Sequence, residues 1–154
     1  MIRLAKKEDI DTLLLLLGEV LDIHAKGRPD VFKSGTTKYD REQLEGIIEG
    51  KDTPVYVYVS DDKVVGYAFC IITEQEESNV LKGYKYMYVD DLCIKSDHRG
   101  QGIGKALYNH VKAEAKRLNC TRVTLNVWNL NDNALAFYSA LGLKPLKTTM
   151  EEVL

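Results

Sequence analysis

Gly100, Gly102 and Gly104 alternate with other residues directly before an amphipathic stretch, with Arg99 and Lys105 flanking them. The first N–H groups of a helix have no intrahelical partner, and missing β-carbons let an anion approach the backbone. With the positive end of the helix dipole behind it, the run Arg99-Gly100-Gln101-Gly102-Ile103-Gly104-Lys105 reads as a pyrophosphate cradle. Shortly before it, two adjacent carboxylates, Asp90 and Asp91, interrupt the apolar run Tyr86 to Ile94. Apolar surroundings raise a carboxyl pKa, which suits a proton acceptor.

Two common phosphate loops do not fit. The dinucleotide fingerprint needs G-x-G-x-x-G and an acid about twenty residues on. Here the spacing is G-x-G-x-G, with no acid at the expected place. The G-x-x-x-x-G-K-[ST] loop fails because Arg99 stands at its first glycine and Ala106 at its Ser/Thr position.

The elements that must position these groups follow from periodicity. Ile2–Ala5, 54–60, 64–73, 85–94, 122–127 and 143–153 read as strands, the last with Pro145 near its start. Asp61-Asp62-Lys63 makes a tight turn between two of them. Helices are predicted to about Ile23 from the first acidic turn, over 39–50, over 101–118 with Asn119 as a left-handed cap, and over 131–141 before Gly142. Residues 24–37 have no period and read as a loop, either a plain surface connection or a binding wall to which Phe32 adds an apolar face. Trp128, just after the fifth strand, walls a pocket or closes the core. The order β-α-α-β-β-β-α-β-α-β predicts one α/β domain over residues 1–154, built on a mixed, mostly antiparallel sheet of six strands.

Two motifs within this frame resemble the GNAT N-acetyltransferase superfamily. The first is R-x-x-G-x-G, here Arg99, Gly102 and Gly104 after the strand segment Leu92-Cys93-Ile94. The second is N-x-x-A-x-x-x-Y-x-x-x-G, here Asn131, Ala134, Tyr138 and Gly142. The resemblance implies helices on both faces of the sheet and fourth and fifth strands that splay apart, opening between Asp91–Ile94 and Asn126–Val127. It implies acetyl-CoA as co-substrate, its pyrophosphate on residues 99–105. The pantetheine arm would lie against the backbone of Leu92, Cys93 and Ile94, and Asn126, Asn131, Ala134, Phe137 and Tyr138 would complete the cofactor side.

Taken alone, Tyr138 beside Phe137 reads as a core tyrosine. The resemblance instead assigns it the proton delivered to the departing thiolate. The implied reaction is direct attack of a primary amine on the thioester, needing placement, oxyanion stabilisation, amine deprotonation and leaving-group protonation. Strict alternation puts Tyr86, Tyr88, Asp90, Leu92 and Ile94 on one face, which favours Asp90 as the base. A bulge would bring Asp91 inward instead. The alternative is that both aspartates orient the acceptor or bond the backbone while water takes the proton. Phe32, Asp91 and Trp128 are the candidate acceptor contacts. Cys93 has no histidine placed to activate it, and direct transfer needs no acyl-enzyme.

The bulk properties narrow the partners. With 45% apolar and 29% charged residues and a net charge of −2, the 154-residue chain suits a globular domain and argues against a nucleic-acid or anionic-membrane binder. Cys70, Cys93 and Cys120 form no C-x-x-C pair, and His24, His98 and His110 lack metal-ligand spacing, so a reducing cytoplasm and no metal are expected. The acidic residues Asp90, Asp91 and Glu74–Glu77 favour a small cationic amine, with a peptide amino group as the other acceptor class. A catalytically idle CoA-binding module is the rival reading. An open terminal strand edge predicts a homodimer.

Overall fold

The computed structural model describes residues 1–154. Five strands, β1 (Ile2–Leu4), β2 (Val55–Ser60), β3 (Lys63–Gln75), β4 (Tyr84–Ile94) and β5 (Arg122–Leu125), form one sheet in the order β1-β2-β3-β4-β5. The first three junctions are antiparallel and the last, β4 with β5, is parallel. The helices are α1 (Ile10–Gly27), α2 (Arg41–Glu49), α3 (Ile103–Arg117) and α4 (Asp132–Ala140). Asp61 and Asp62 both take positive φ, which gives the β2–β3 hairpin the twist of its strands.

The sheet is covered on both sides. On one face Ile10, Leu13, Leu16 and Leu17 of α1 and Leu44 of α2 bury Val55, Val57, Tyr67, Phe69 and Cys93. On the other, Ile103, Leu107, Val111 and Ala115 of α3 bury Tyr56, Val65, Ala68, Cys70, Met87 and Val89. The helical spacing of the α3 residues produces this single apolar stripe, and Tyr108 widens it. Asn119 takes the left-handed conformation that ends α3, and Gly142 the one after α4.

Three expectations need correction. The sheet has five strands, not six: residues 143–154 form no strand. Pro145 lacks a donor, Leu146, Met150 and Val153 are exposed, and the four-residue β5 is therefore the sheet's edge. Helix α1 continues past Ile23 to Gly27, because the first true stop is Arg28, restricted by the ring of Pro29. His24 is thereby a residue of the last helical turn rather than of the loop. Finally, alternation along β4 is not strict. Phe69 pairs with Asp91 and Cys70 with Val89, leaving Asp90 as an extra, unpaired residue, a β-bulge. Met87 and Val89 face α3 before the bulge, and Leu92 and Ile94 face it afterwards, so Leu92 and Ile94 do not share a face with Asp90.

No helix is long and apolar enough to cross a membrane.

Candidate active site

The bulge creates the site. Because parity changes at Asp90, both carboxylates emerge on the α1–α2 side of β4 instead of on opposite faces. Asp90 accepts a 2.5 Å hydrogen bond from the Tyr39 hydroxyl, and its Oδ1 lies 3.0 Å from Lys38 Nζ. Lys38 Nζ also donates to the Asp90 carbonyl at 3.2 Å. Asp91 accepts one side-chain bond, from the Tyr67 hydroxyl at 3.1 Å. It keeps a partial opening to solvent while protein crowds its other sides. Burial pushes the Asp91 carboxyl above the usual carboxylate range; Lys38 and Tyr67 oppose the shift, and the charge of Asp90 adds to it.

At the same place the sheet parts. Strand β5 pairs with β4 only over Tyr86–Val89, so from Asp90 onward the outer backbone edge of β4 has no strand beside it. The separation of the two strands begins where the carboxylates stand. Asn126 spans its head, donating from Nδ2 to the Tyr88 hydroxyl at 3.2 Å. Leu92 and Ile94 anchor the free segment in the α3 core, while Cys93 turns into the opposite core. Burial pushes the Cys93 thiol up to about 12, so it stays a thiol at neutral pH.

Beyond Ile94 the chain passes a short 3-10 turn and reaches the glycine corner. Arg99 Nε donates to the Ile94 carbonyl at 3.0 Å and braces the corner against the strand end. Gly100 and Gly102 hold φ values of 74° and 80°, which side chains with a β-carbon rarely adopt. Gly104 is small for another reason: a β-carbon there would lie 3.1 Å from the Phe137 ring. Through that contact Phe137 seats α4 on the start of α3. The backbone N–H groups from Gly100 to Lys105 donate to no carbonyl, and no side chain caps α3. Gln101 and Lys105 are exposed beside them, and Ile103 is buried beneath. A row of free donors on a helix start, with open space over two glycines, fits a diphosphate.

Helix α4 carries the remaining groups. Asn131 caps it, its Oδ1 accepting from the Ala134 N–H at 3.1 Å. Tyr138 packs edge-on to Tyr108, ring centroids 6.1 Å apart, and to Phe137 at 5.0 Å. Burial raises its phenol pKa well above normal, and the charge of Asp91 adds to the rise. Phe32 meets Trp128 at 4.8 Å and 73°, and His24 lies 5.1 Å from Phe32. Trp128 remains 43% exposed, so it does not close the core.

Phe32 and Trp128 are therefore brought together, as are Asp90 and Asp91, while Tyr138 on α4 is linked to Asp91 through its charge. Sequence reasoning missed His24, Lys38, Tyr39 and Tyr67. Tyr67 carried a readable signal: it is the one hydroxyl in the apolar run Val64 to Ile72, and a buried tyrosine needs a partner for its O–H. Lys38 and Tyr39 had none, since their role depends on how a loop folds back over β4.

Comparison with known proteins identifies the family and the fold. The family model "Acetyltransferase (GNAT) family" matches residues 18–143. A thialysine N-ε-acetyltransferase of Bos taurus is 28% identical over 157 residues, covering 95% of this chain and 85% of the relative. A peptidyl-lysine N-acetyltransferase, YjaB of Salmonella typhimurium, is 34% identical over 107 residues, 68% of this chain and 61% of the relative. Among solved structures, a mutant of the BH1408 protein from Bacillus halodurans superposes with a TM-score of 0.97 at 28% identity, covering 100% of this chain and 99% of that one. The sheet that parts at a bulge, the glycine corner and the tyrosine helix thus belong to an acetyl-transferring enzyme: the chain is an N-acetyltransferase of the GNAT family.

Proposed function

We propose that the protein transfers the acetyl group of acetyl-CoA directly to a primary amine at the end of a cationic, lysine-like chain. The observation that carries this reading is the pair Asp90 and Asp91, on one face at the head of the opening, with an ammonium group, that of Lys38, already against Asp90. The lysine-type substrates in the names of the two relatives support the same class.

Bound acetyl-CoA supplies an activated thioester carbonyl. The free N–H groups of Gly100 to Lys105 hold its diphosphate, and the unpaired edge of β4 from Asp90 to Ile94 takes the extended arm as an added strand. An N–H on that edge faces the carbonyl oxygen as charge develops on it. Asp90 and Asp91 together, with Lys38 as a neighbouring cation, attract the acceptor's positive charge, and the rings of Phe32 and Trp128 flank its stem. Asp91 takes the ammonium proton, in place of the expected Asp90, because Asp90 is already held by Tyr39 and Lys38 whereas Asp91 has one partner and a raised pKa. Tyr138 stays protonated at neutral pH and holds that proton for the sulfur.

Thiol release from acetyl-CoA across a panel of amines tests the reading. Spermidine, lysine, thialysine, an aminoglycoside and lysine-containing peptides would be compared with neutral amino acids. Release with lysine-like amines is the expected result, and release only with α-amino groups of uncharged peptides would overturn the acceptor class. The free edge of β5 and the exposed Leu135 on α4 further support pairing of two copies in a dimer. A monomer mass in light scattering at micromolar concentration would remove that part.

A further inference from the structure

Lys38 sits where the acceptor is expected. It lies in the loop between α1 and α2, and its side chain is 41% exposed. Its Nζ nevertheless lies over β4, 3.0 Å from Asp90 Oδ1 and 3.2 Å from the Asp90 carbonyl oxygen. Tyr39, the next residue, fixes the loop end through its own bond to Asp90. Asp91 follows Asp90 directly, on the same face, at the point where β4 loses its neighbour. A lysine ε-amine is thus held against Asp90, one residue before the carboxylate assigned to deprotonate lysine-like acceptors.

We propose that Lys38 is the protein's own acetyl acceptor, modified in cis when acetyl-CoA is bound. The inference rests on the acetyl-CoA reaction proposed above. The Lys38 ammonium gives one proton to Asp91, and its nitrogen lone pair forms a bond to the thioester carbonyl carbon. The carbon–sulfur bond breaks, and the thiolate takes the proton held by Tyr138. The nitrogen loses its second proton to water, and Asp91 gives up its proton through solvent as Tyr138 is reprotonated. The balance is one Lys-NH3+ and one acetyl-CoA giving one N-acetyl-lysine, one CoA thiol and one released proton. The product is neutral, so the ion pair with Asp90 is lost.

The test is incubation of the intact protein with acetyl-CoA and no added amine, followed by peptide mapping by mass spectrometry. Lys33, Lys51 and Lys112, all exposed, report chemical acetylation on the same molecule. Held in place, Lys38 is expected to react about a hundredfold faster than they do, at a rate per molecule independent of protein concentration. Asp91→Asn is expected to bring Lys38 down to the level of the other lysines, and Tyr138→Phe serves the same purpose if that variant does not fold. Acetylation of Lys38 no faster than of Lys33, Lys51 and Lys112 overturns the proposal. If external amines still release thiol in that case, only this inference fails; if no amine does, the reading beneath it fails as well. A rate that rises with protein concentration would make the modification intermolecular and overturn the cis assignment.

Discussion

Asp9 and Asp91 are both carboxylates enclosed by protein, and their surroundings push them in opposite directions. Burial works against the charge of each. At Asp9 that penalty is outweighed. Arg3 grips both carboxylate oxygens, at 2.7 and 3.0 Å, and the Lys6 N–H adds a third bond of 2.7 Å, so its pKa falls below the ordinary value. At Asp91 a single tyrosine bond and a more distant ammonium are too little, and the pKa rises. The first arrangement ties β1 to the start of α1 and leaves the carboxylate no reason to take a proton. The second holds a charge at a cost, which is the condition for a base. Satisfaction, more than burial, separates the structural acid Asp9 from Asp91, the base proposed above.

Replacing Asp91 with Asn is the strongest way to break that contrast. The expected loss in kcat is about 10³–10⁴-fold, toward the upper range for removal of a general base. The same variant is expected to be more stable than the native protein by about 0.5–2 kcal/mol at neutral pH, because it no longer holds an under-partnered charge. The sign follows from the raised pKa. The folded protein binds this proton more tightly than the unfolded chain, so the cost appears as pH rises through the folded value and vanishes below the unfolded value near 3.8. Thermal melts across pH check it, and a loss of both activity and stability would make Asp91 structural like Asp9. Next in size, Tyr138→Phe is expected to lower kcat by about 10²-fold while CoA binding, read by calorimetry, persists. Unchanged turnover would leave Tyr138 as the core tyrosine its neighbours Tyr108 and Phe137 also accommodate.

The same contrast marks what could be read from the chain beforehand. The glycine corner and the tyrosine helix were legible because their chemistry is local: free N–H groups, positive φ at Gly100 and Gly102, and the cap at Asn131 are set within a few residues. The strands and the two-sided core were legible from periodicity. The bulge was not. One unpaired residue at Asp90 is decided by the register of β3 against β4, which no spacing within β4 reveals. The partners of the carboxylates were hidden for a related reason: Tyr67 comes from the neighbouring strand, and Lys38 and Tyr39 from a loop about fifty residues away in sequence. The sixth strand was misjudged: residues 143–153 pair with no strand although the outer edge of β5 is free, and Leu146, Met150 and Val153 stay exposed.

At the structural acid, Asp9→Asn is expected to cost about 1–3 kcal/mol at neutral pH by leaving Arg3 without its partner, with kcat unchanged. Since the folded pKa of Asp9 is depressed, its contribution is present above the unfolded value near 3.8 and lost as pH falls through the folded value. The variant and native proteins should therefore converge in acid, as the Asp91 pair does, but with the opposite sign at neutral pH: here the native protein is the more stable. Urea melts at two pH values decide it.

The smallest expected effect is the most specific. Tyr67→Phe removes one oxygen from a fully buried ring packed against Phe69 and deletes the sole side-chain bond to Asp91. That bond favours the ionised carboxylate, so its loss raises the Asp91 pKa further, by the mechanism that already holds it high. If Asp91 is the base, the acid limb of kcat/KM moves to higher pH while the plateau above it hardly changes. If water takes the proton and Asp91 only orients the acceptor, the limb stays where it is and KM rises instead. Tyr67 touches no substrate on either account, so a moved limb can come only through the carboxylate it holds.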